Sequence, residues 1–259
     1  MPRHNWTREE TLAAFNLYCR TPFGRLHARN PDIVALAKAL GRTPDAVAMK
    51  CCNLASLDPS QQARGVSGLK SVSRLDEEIW NEFNLDAESI GYQSEVAFAG
   101  LTQTKPRATE AVEWEDVQGL DKQLVTKVRV NQHLFRSIIL TGYRFECAVC
   151  RLPIPPLLVA AHIVPWSADK SQRMNPRNGI CLCSLHDRAF DAGILIIEVD
   201  LQISIDHRIA QQHPKSPAVK RFLLDFSGQT ISLPDRWLPD PNLLRRHLQL
   251  GESTTGCSL

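Results

Sequence analysis

At 259 residues the chain is long enough for two domains of ordinary size, and 43% hydrophobic with 22% charged residues is a globular balance. No apolar run approaches the roughly 18 residues that span a bilayer, and the polar start Met1-Pro-Arg-His-Asn-Trp6 lacks the apolar core of a secretory leader, so a cytoplasmic protein with no membrane partner is expected. In that compartment the eight cysteines read as free thiols or metal ligands, not disulfides.

The net charge of +2 hides an uneven distribution. Residues 1–75 carry 11 Lys/Arg against 5 Asp/Glu, residues 76–121 carry 2 against 12, and residues 122–259 carry 17 against 11. Two basic blocks around an acidic one suit a protein that meets a polyanion at both ends; two solvated surfaces and an acidic spacer fit equally.

The first block predicts helices. Thr7-Arg-Glu-Glu10 has the form of a capping box, followed by Leu12, Phe15 and Cys19 at helical spacing. Asn30-Pro31 signals a second start, with a stripe of Ile33, Leu36, Ala37 and Leu40 that stops at Gly41. Thr43-Pro44 opens a third, with Val47, Cys51 and Leu54 on one side, and a fourth runs through Arg74–Phe83. The tight Gly41–Pro44 turn fits a helix-turn-helix or Myb-like unit. Its third helix would offer Lys50 and Asn53 to a DNA groove, with Arg42 and Arg64 near the phosphates. A small helical bundle used for dimerisation or docking is the competing reading, and adjacent Cys51 and Cys52 read as packing residues.

The expected organisation is α+β, an all-helical N-terminal domain followed by a mixed second domain. Its parts are a helical domain over 1–85, an acidic linker over 86–121, a second domain over 122–250 and a disordered tail over 251–259. The second domain opens with a helix over 122–142 whose apolar side includes Leu124, Val128, Leu134, Phe135, Ile138 and Ile139. It also contains a hairpin formed by Gly193–Val199 and Gln202–Ile205 around Asp200.

Between these lies the most informative pattern in the chain. His162, in Ala-Ala-His-Ile-Val-Pro-Trp166, is followed 16 residues later by Asn178 and 8 residues after that by His186-Asp187. The spacing accommodates a strand ending at His162, a loop, a second strand from Asn178 and a helix from about His186. Phosphodiester hydrolysis needs an activated water and neutralisation of the scissile phosphate. A neutral imidazole at a strand end accepts the proton of water, and an asparagine fixes the imidazole or braces its loop. A divalent cation held by His186 or a neighbouring carboxylate carries the phosphate charge.

Arg129-Val-Asn-Gln-His-Leu-Phe-Arg136, Tyr143 to Cys147, Leu158-Val-Ala-Ala-His162-Ile-Val-Pro-Trp166, Asn178-Gly-Ile-Cys-Leu182 and His186-Asp-Arg-Ala-Phe-Asp-Ala-Gly193 together resemble the HNH, or His-Me finger, endonucleases, in the branch of prokaryotic restriction and defence proteins. The resemblance covers residues 129–205. It implies a ββα-metal fold, a double-stranded DNA substrate, 5′-phosphate and 3′-hydroxyl products, and Mg²⁺ or another divalent ion such as Mn²⁺, Ni²⁺ or Zn²⁺. His162 would be the base, Asn178 its brace, and His186 ahead of Asp187 the metal ligand. Ala161 stands where many relatives carry a metal-binding aspartate, and Asp191 reads as a brace of the helix end.

Cys147-Ala-Val-Cys150 with Cys181-Leu-Cys183 raises a structural Zn²⁺ site, against a reading as packing thiols. Arg173, Arg177 and Arg188 are candidate phosphate contacts or solvated charges, and Trp166 a packing residue before a stacking one. Two active units, in a homodimer, would be needed for a duplex break. The competing functions are a non-catalytic DNA-binding or zinc-stabilised module of the same shape, and a homing or mobile-element nuclease.

Overall fold

Local start signals translate directly into helices. A computed structural model of the chain describes residues 5–65, 72–109 and 120–255. Helix α1 (Arg8–Arg20) begins with the predicted capping box, Thr7 accepting from the Glu10 amide while the Glu10 carboxylate accepts from Thr7. Helix α2 (Pro31–Leu40) is capped by Asn30 and ends on Gly41 at φ 63°, a left-handed turn that glycine adopts without strain. Helix α3 (Pro44–Ala55) starts at Thr43, and α4 (Pro59–Ala63) follows at Asp58. Helix α5 (Arg74–Leu85) repeats the capping box with Ser73 and Asp76.

Helix α6 (Ala87–Thr102) replaces the first part of the expected acidic linker. Its buried side carries the small residues Gly91, Ser94 and Ala97 beside Ile90 and Phe98, which allows close packing on α1. Only Glu88 and Glu95 are acidic within it, so the helix is not a charged spacer. Glu95 is itself buried; its carboxylate accepts from Asn16 and from the Arg107 amide and lies 3.8 Å from the Arg20 guanidinium. Residues 110–119 of the expected linker lie outside the described residues.

Helix α7 (Leu120–Gly142) buries Val130, Leu134, Phe135 and Ile138, whereas Leu124 is exposed. Strand β1 (Leu158–His162) pairs antiparallel with β2 (Gly179–Cys183), placing His162 opposite Gly179, and α8 (Ser184–Asp191) follows at once. Strands β3 (Leu195–Ile197) and β4 (Ile203–Ile205) form the predicted hairpin. The short helices α9 (His207–Gln212) and α10 (Pro217–Phe222) lead to α11 (Pro241–Thr255). Helix thus occupies part of the expected disordered tail, and residues 256–259 lie outside the described residues. The architecture is α+β, and no helix among the described residues is long and apolar enough to cross a membrane.

The chain divides into two compact units whose boundary differs from the expected one. The first comprises residues 1–141 with Asp235–Trp237, and the second residues 142–234 with 238–259. Helix α7 therefore belongs almost wholly to the helical unit, where the Asn131 amide donates to Glu88 and the Thr141 hydroxyl to Arg20. Trp237 stacks on Trp80 at 5.9 Å and 11°, within an aromatic core of Phe15, Tyr18 and Phe83. Arg236, fully buried, donates to the Tyr18 and Thr21 carbonyls at the end of α1, where a cation complements the helix dipole.

The helical unit does not present the expected groove-reading helix. The Lys50 ammonium bonds the Asp76 carboxylate at 2.6 Å, and both side chains are buried; Asn53 is buried as well. Arg42 pairs with Glu10 and Arg64 with Asp235. The DNA-contact roles of Lys50 and Asn53 are therefore corrected: both side chains are buried, Lys50 against Asp76 of α5. Substituting Lys50→Met leaves a buried carboxylate uncompensated and should cost about 3–5 kcal/mol in urea unfolding. The salt dependence of DNA binding should stay unchanged, and a slope lowered by about one would contradict this placement.

Candidate functional site

The β1–β2 hairpin and α8 bring His162, Asn178 and the start of α8 into one small unit. His162 closes β1, half-buried, and its Nε2 lies 3.0 Å from the Arg173 carbonyl. A carbonyl only accepts, so Nε2 carries the proton and Nδ1 is the basic nitrogen. Burial lowers the His162 pKa below its ordinary 6.5, against the Arg173 hydrogen bond that raises it. The ring is therefore neutral at pH 7, the form that accepts a proton. Trp166 meets it edge-on at 5.7 Å, and the Arg173 guanidinium lies 4.7 Å from the Trp166 ring centre while Nε donates to the Trp166 carbonyl.

Asn178 is buried, and its side chain bonds backbone. Its Oδ1 accepts from the Val164 amide at 2.8 Å, and Nδ2 donates to the Val164 and Gln172 carbonyls, each at 3.1 Å. These bonds tie the two ends of the 163–178 loop together. Of the two arrangements considered for this residue, bonding to the imidazole or bracing its loop, the bonds seen are of the second kind.

The structure groups His186 with sulfur. Cys147, Cys150, Cys183 and His186 place their ligand atoms within 4.8 Å of one another, and this group could hold a metal ion. The His186 Nδ1 lies 3.6 Å from the Cys147 sulfur and 3.2 Å from that of Cys183, and the Cys150 and Cys183 sulfurs are 3.9 Å apart. A tetrahedral ion with Zn–S bonds of about 2.3 Å separates its ligands by about 3.7 Å, so the donor set fits that geometry. His186 Nε2 donates to the Phe222 carbonyl at 3.0 Å, which turns the lone pair of Nδ1 toward the sulfurs. Hydrogen bonds from Cys147 and Cys150 hold the Cys183 thiol well down, favouring thiolate. Without an ion, burial lowers the His186 pKa but hydrogen bonds with Cys147 and Cys183 outweigh it and carry the value up to about 10. An ion taking Nδ1 would displace its proton.

Two expectations change here. Cys181, although buried on β2, stands outside the group, and His186 takes the fourth place. With one ring nitrogen facing the thiols and the other bonded to Phe222, His186 has no lone pair left for an ion on the phosphate. The overlooked signal was Cys183-Ser-Leu-His186, a C-x₂-H pair in which the first turn of α8 brings the imidazole back to the sulfur. Strained backbone flanks the Cys147–Cys150 turn: Arg144, Phe145 and Arg151 are left-handed, at φ 57°, 59° and 61°.

Asp187, next on α8, is half-buried. Burial, then the charges of Asp191 and Cys183, push its carboxyl up to about 6, against a lowering effect of Arg188. A carboxylate destabilised this way gains most from a cation. Ala161 is buried opposite Ile180 and offers no ligand. Arg188 is exposed on α8, and the half-buried Arg177 receives the Asp240 amide on its carbonyl.

Residues 147–198 match the family model described as HNH endonuclease, a span that runs from the first cysteine of the sulfur group to the strand after α8. No curated protein and no solved structure matches the chain.

Proposed function

We propose that this protein is a metal-dependent HNH endonuclease that hydrolyses phosphodiester bonds of double-stranded DNA. The observation that carries the reading is the 3.0 Å contact of His162 Nε2 with the Arg173 carbonyl, which places the ring proton on Nε2, within a segment matching an HNH family. His162 Nδ1 takes the proton of the attacking water, and Asn178 holds the loop that supplies the Arg173 carbonyl. Asp187 binds a divalent ion, Mg²⁺ or Mn²⁺, which when bound neutralises the scissile phosphate and the departing oxygen. Cys147, Cys150, Cys183 and His186 hold a structural Zn²⁺ that ties the turn before β1 to the start of α8. Arg188, Arg173 and Arg177 are the candidate phosphate contacts in this unit. A role in restriction or anti-phage defence rests on the family resemblance, and duplex cutting would take a homodimer.

Ala161 favours a second reading, a zinc-stabilised DNA-binding module without catalysis, because the carboxylate common before the base histidine is missing. Product chemistry separates the two. Supercoiled plasmid incubated with Mg²⁺ or Mn²⁺ should yield nicks that ligase reseals directly, and Asp187→Ala should remove that activity. Binding without nicking on both modified and unmodified DNA would leave the module reading.

Acidity should act through Asp187. Its value lies above the ordinary 3.8, so the folded chain takes up a proton as pH falls through about 6, and the ionised form exists only above that. The phosphate-site ion competes with this proton. Its affinity should fall about tenfold per pH unit below about 6 and level off above 7. Calorimetry with Mn²⁺ at several pH values checks this, and a flat profile would contradict the assignment.

A further inference from the structure

Resting on the reading of His162 as base, we infer that α11 positions the catalytic loop and that His247 is its main positioning residue. The 163–178 loop carries the Arg173 carbonyl that sets the His162 tautomer. Residues 240–247 grip this loop at three points. The Asp240 amide donates to the Arg177 carbonyl at 3.0 Å, at the far end. The Arg246 guanidinium bonds the Asp169 carboxylate at 2.6 Å, in the middle. His247 Nδ1 donates to the Ile163 carbonyl at 2.7 Å, one residue from the base.

The last contact completes the fixing of one residue from both sides. The Ile163 amide already donates to the Asn178 carbonyl at 2.9 Å, so the residue after His162 is held by the loop brace and by α11 together. Ile163 is fully buried, and its carbonyl would lack this donor without His247. The His247 ring lies flat on Phe190 of α8, at 4.1 Å and 5°, which sets its plane. All three gripping residues lie beyond the 147–198 segment that matches the family model, so this clasp is an addition made by the rest of the chain. A base displaced by an ångström loses on the order of 10²-fold in rate, so such a clasp acts on turnover rather than on DNA affinity.

Two substitutions in the full chain separate positioning from packing. His247→Phe keeps a flat ring on Phe190 and loses the donor; His247→Asn loses the ring and keeps an N–H where Nδ1 was. The inference predicts that His247→Phe lowers kcat on plasmid about 10- to 100-fold with KM unchanged, while His247→Asn stays within a few-fold of wild type. Amide exchange of the 163–178 peptides should quicken at least about tenfold in His247→Phe. A packing role predicts the reverse order, and that order, or unchanged exchange in His247→Phe, would overturn the inference. Exchange is measured without DNA, so it decides the clasp even where wild type and His162→Ala cut alike, a result that would remove only the nuclease reading. Where His247→Phe does not fold, Arg246→Gln takes its place: faster exchange around Asp169 supports the clasp, and unchanged exchange refutes it.

Discussion

Replacing Cys150 with serine should unfold the 142–234 region rather than weaken it slightly. The proposed Zn²⁺ is held by residues from the turn before β1, the end of β2 and the first turn of α8, so one ion ties together the segments that build the site. Structural zinc contributes about 10–16 kcal/mol in small metal-dependent folds, more than the whole stability of most domains. Loss of one sulfur should therefore abolish stoichiometric zinc and expose residues 142–234 to trypsin, with residues 5–65 and 72–109 still protected. Chelator treatment of the wild type should do the same. Cys181→Ala is the control: this thiol is more deeply buried than Cys150 but stands outside the group, so the ion should stay at one per chain. A zinc-free wild type, or a Cys150→Ser variant as protease-resistant as wild type, would contradict the assignment.

Loss of the base should lower turnover strongly while leaving the fold in place. His162→Ala removes the proton acceptor without touching the sulfur group or the Asn178 bonds, so the fold should persist while cutting falls about 10²- to 10⁴-fold. Because burial holds the His162 pKa below the ordinary 6.5, the base should stay competent at pH values where an exposed imidazole is half protonated. The acid limb of the rate profile should then follow Asp187 and its ion, near pH 6. Circular dichroism and zinc content equal to wild type establish that the variant is folded.

The parts legible in the sequence were those set by local chemistry. Thr7, Asn30-Pro31 and Thr43-Pro44 start helices because a side-chain oxygen caps nearby amides and proline fits the first turn, which needs no tertiary information. The order His162, Asn178, α8 was legible because strand, loop and helix lengths constrain it. Lys50 was misplaced because its partner Asp76 lies on α5, which arrives from elsewhere in the chain, and the burial of Asn53 has no local signature either. The acidic count concealed α6, since most of its carboxylates lie outside the helix and the buried Glu95 binds a neighbouring backbone. Arg236 bonds a carbonyl 218 residues away, a contact with no local signature. The fourth member of the sulfur group was present as Cys183-Ser-Leu-His186, but a ligand set composed only of cysteines drew attention to Cys181 instead.

Single-turnover cutting of supercoiled plasmid by wild type and His162→Ala, side by side with Mg²⁺ and with Mn²⁺, tests the central claim most directly. Wild type should convert the plasmid to nicked or linear form only when the ion is present, and the folded variant should do so at least about a hundredfold more slowly. Equal rates for the two proteins would contradict a base role for His162 and with it the proposed nuclease.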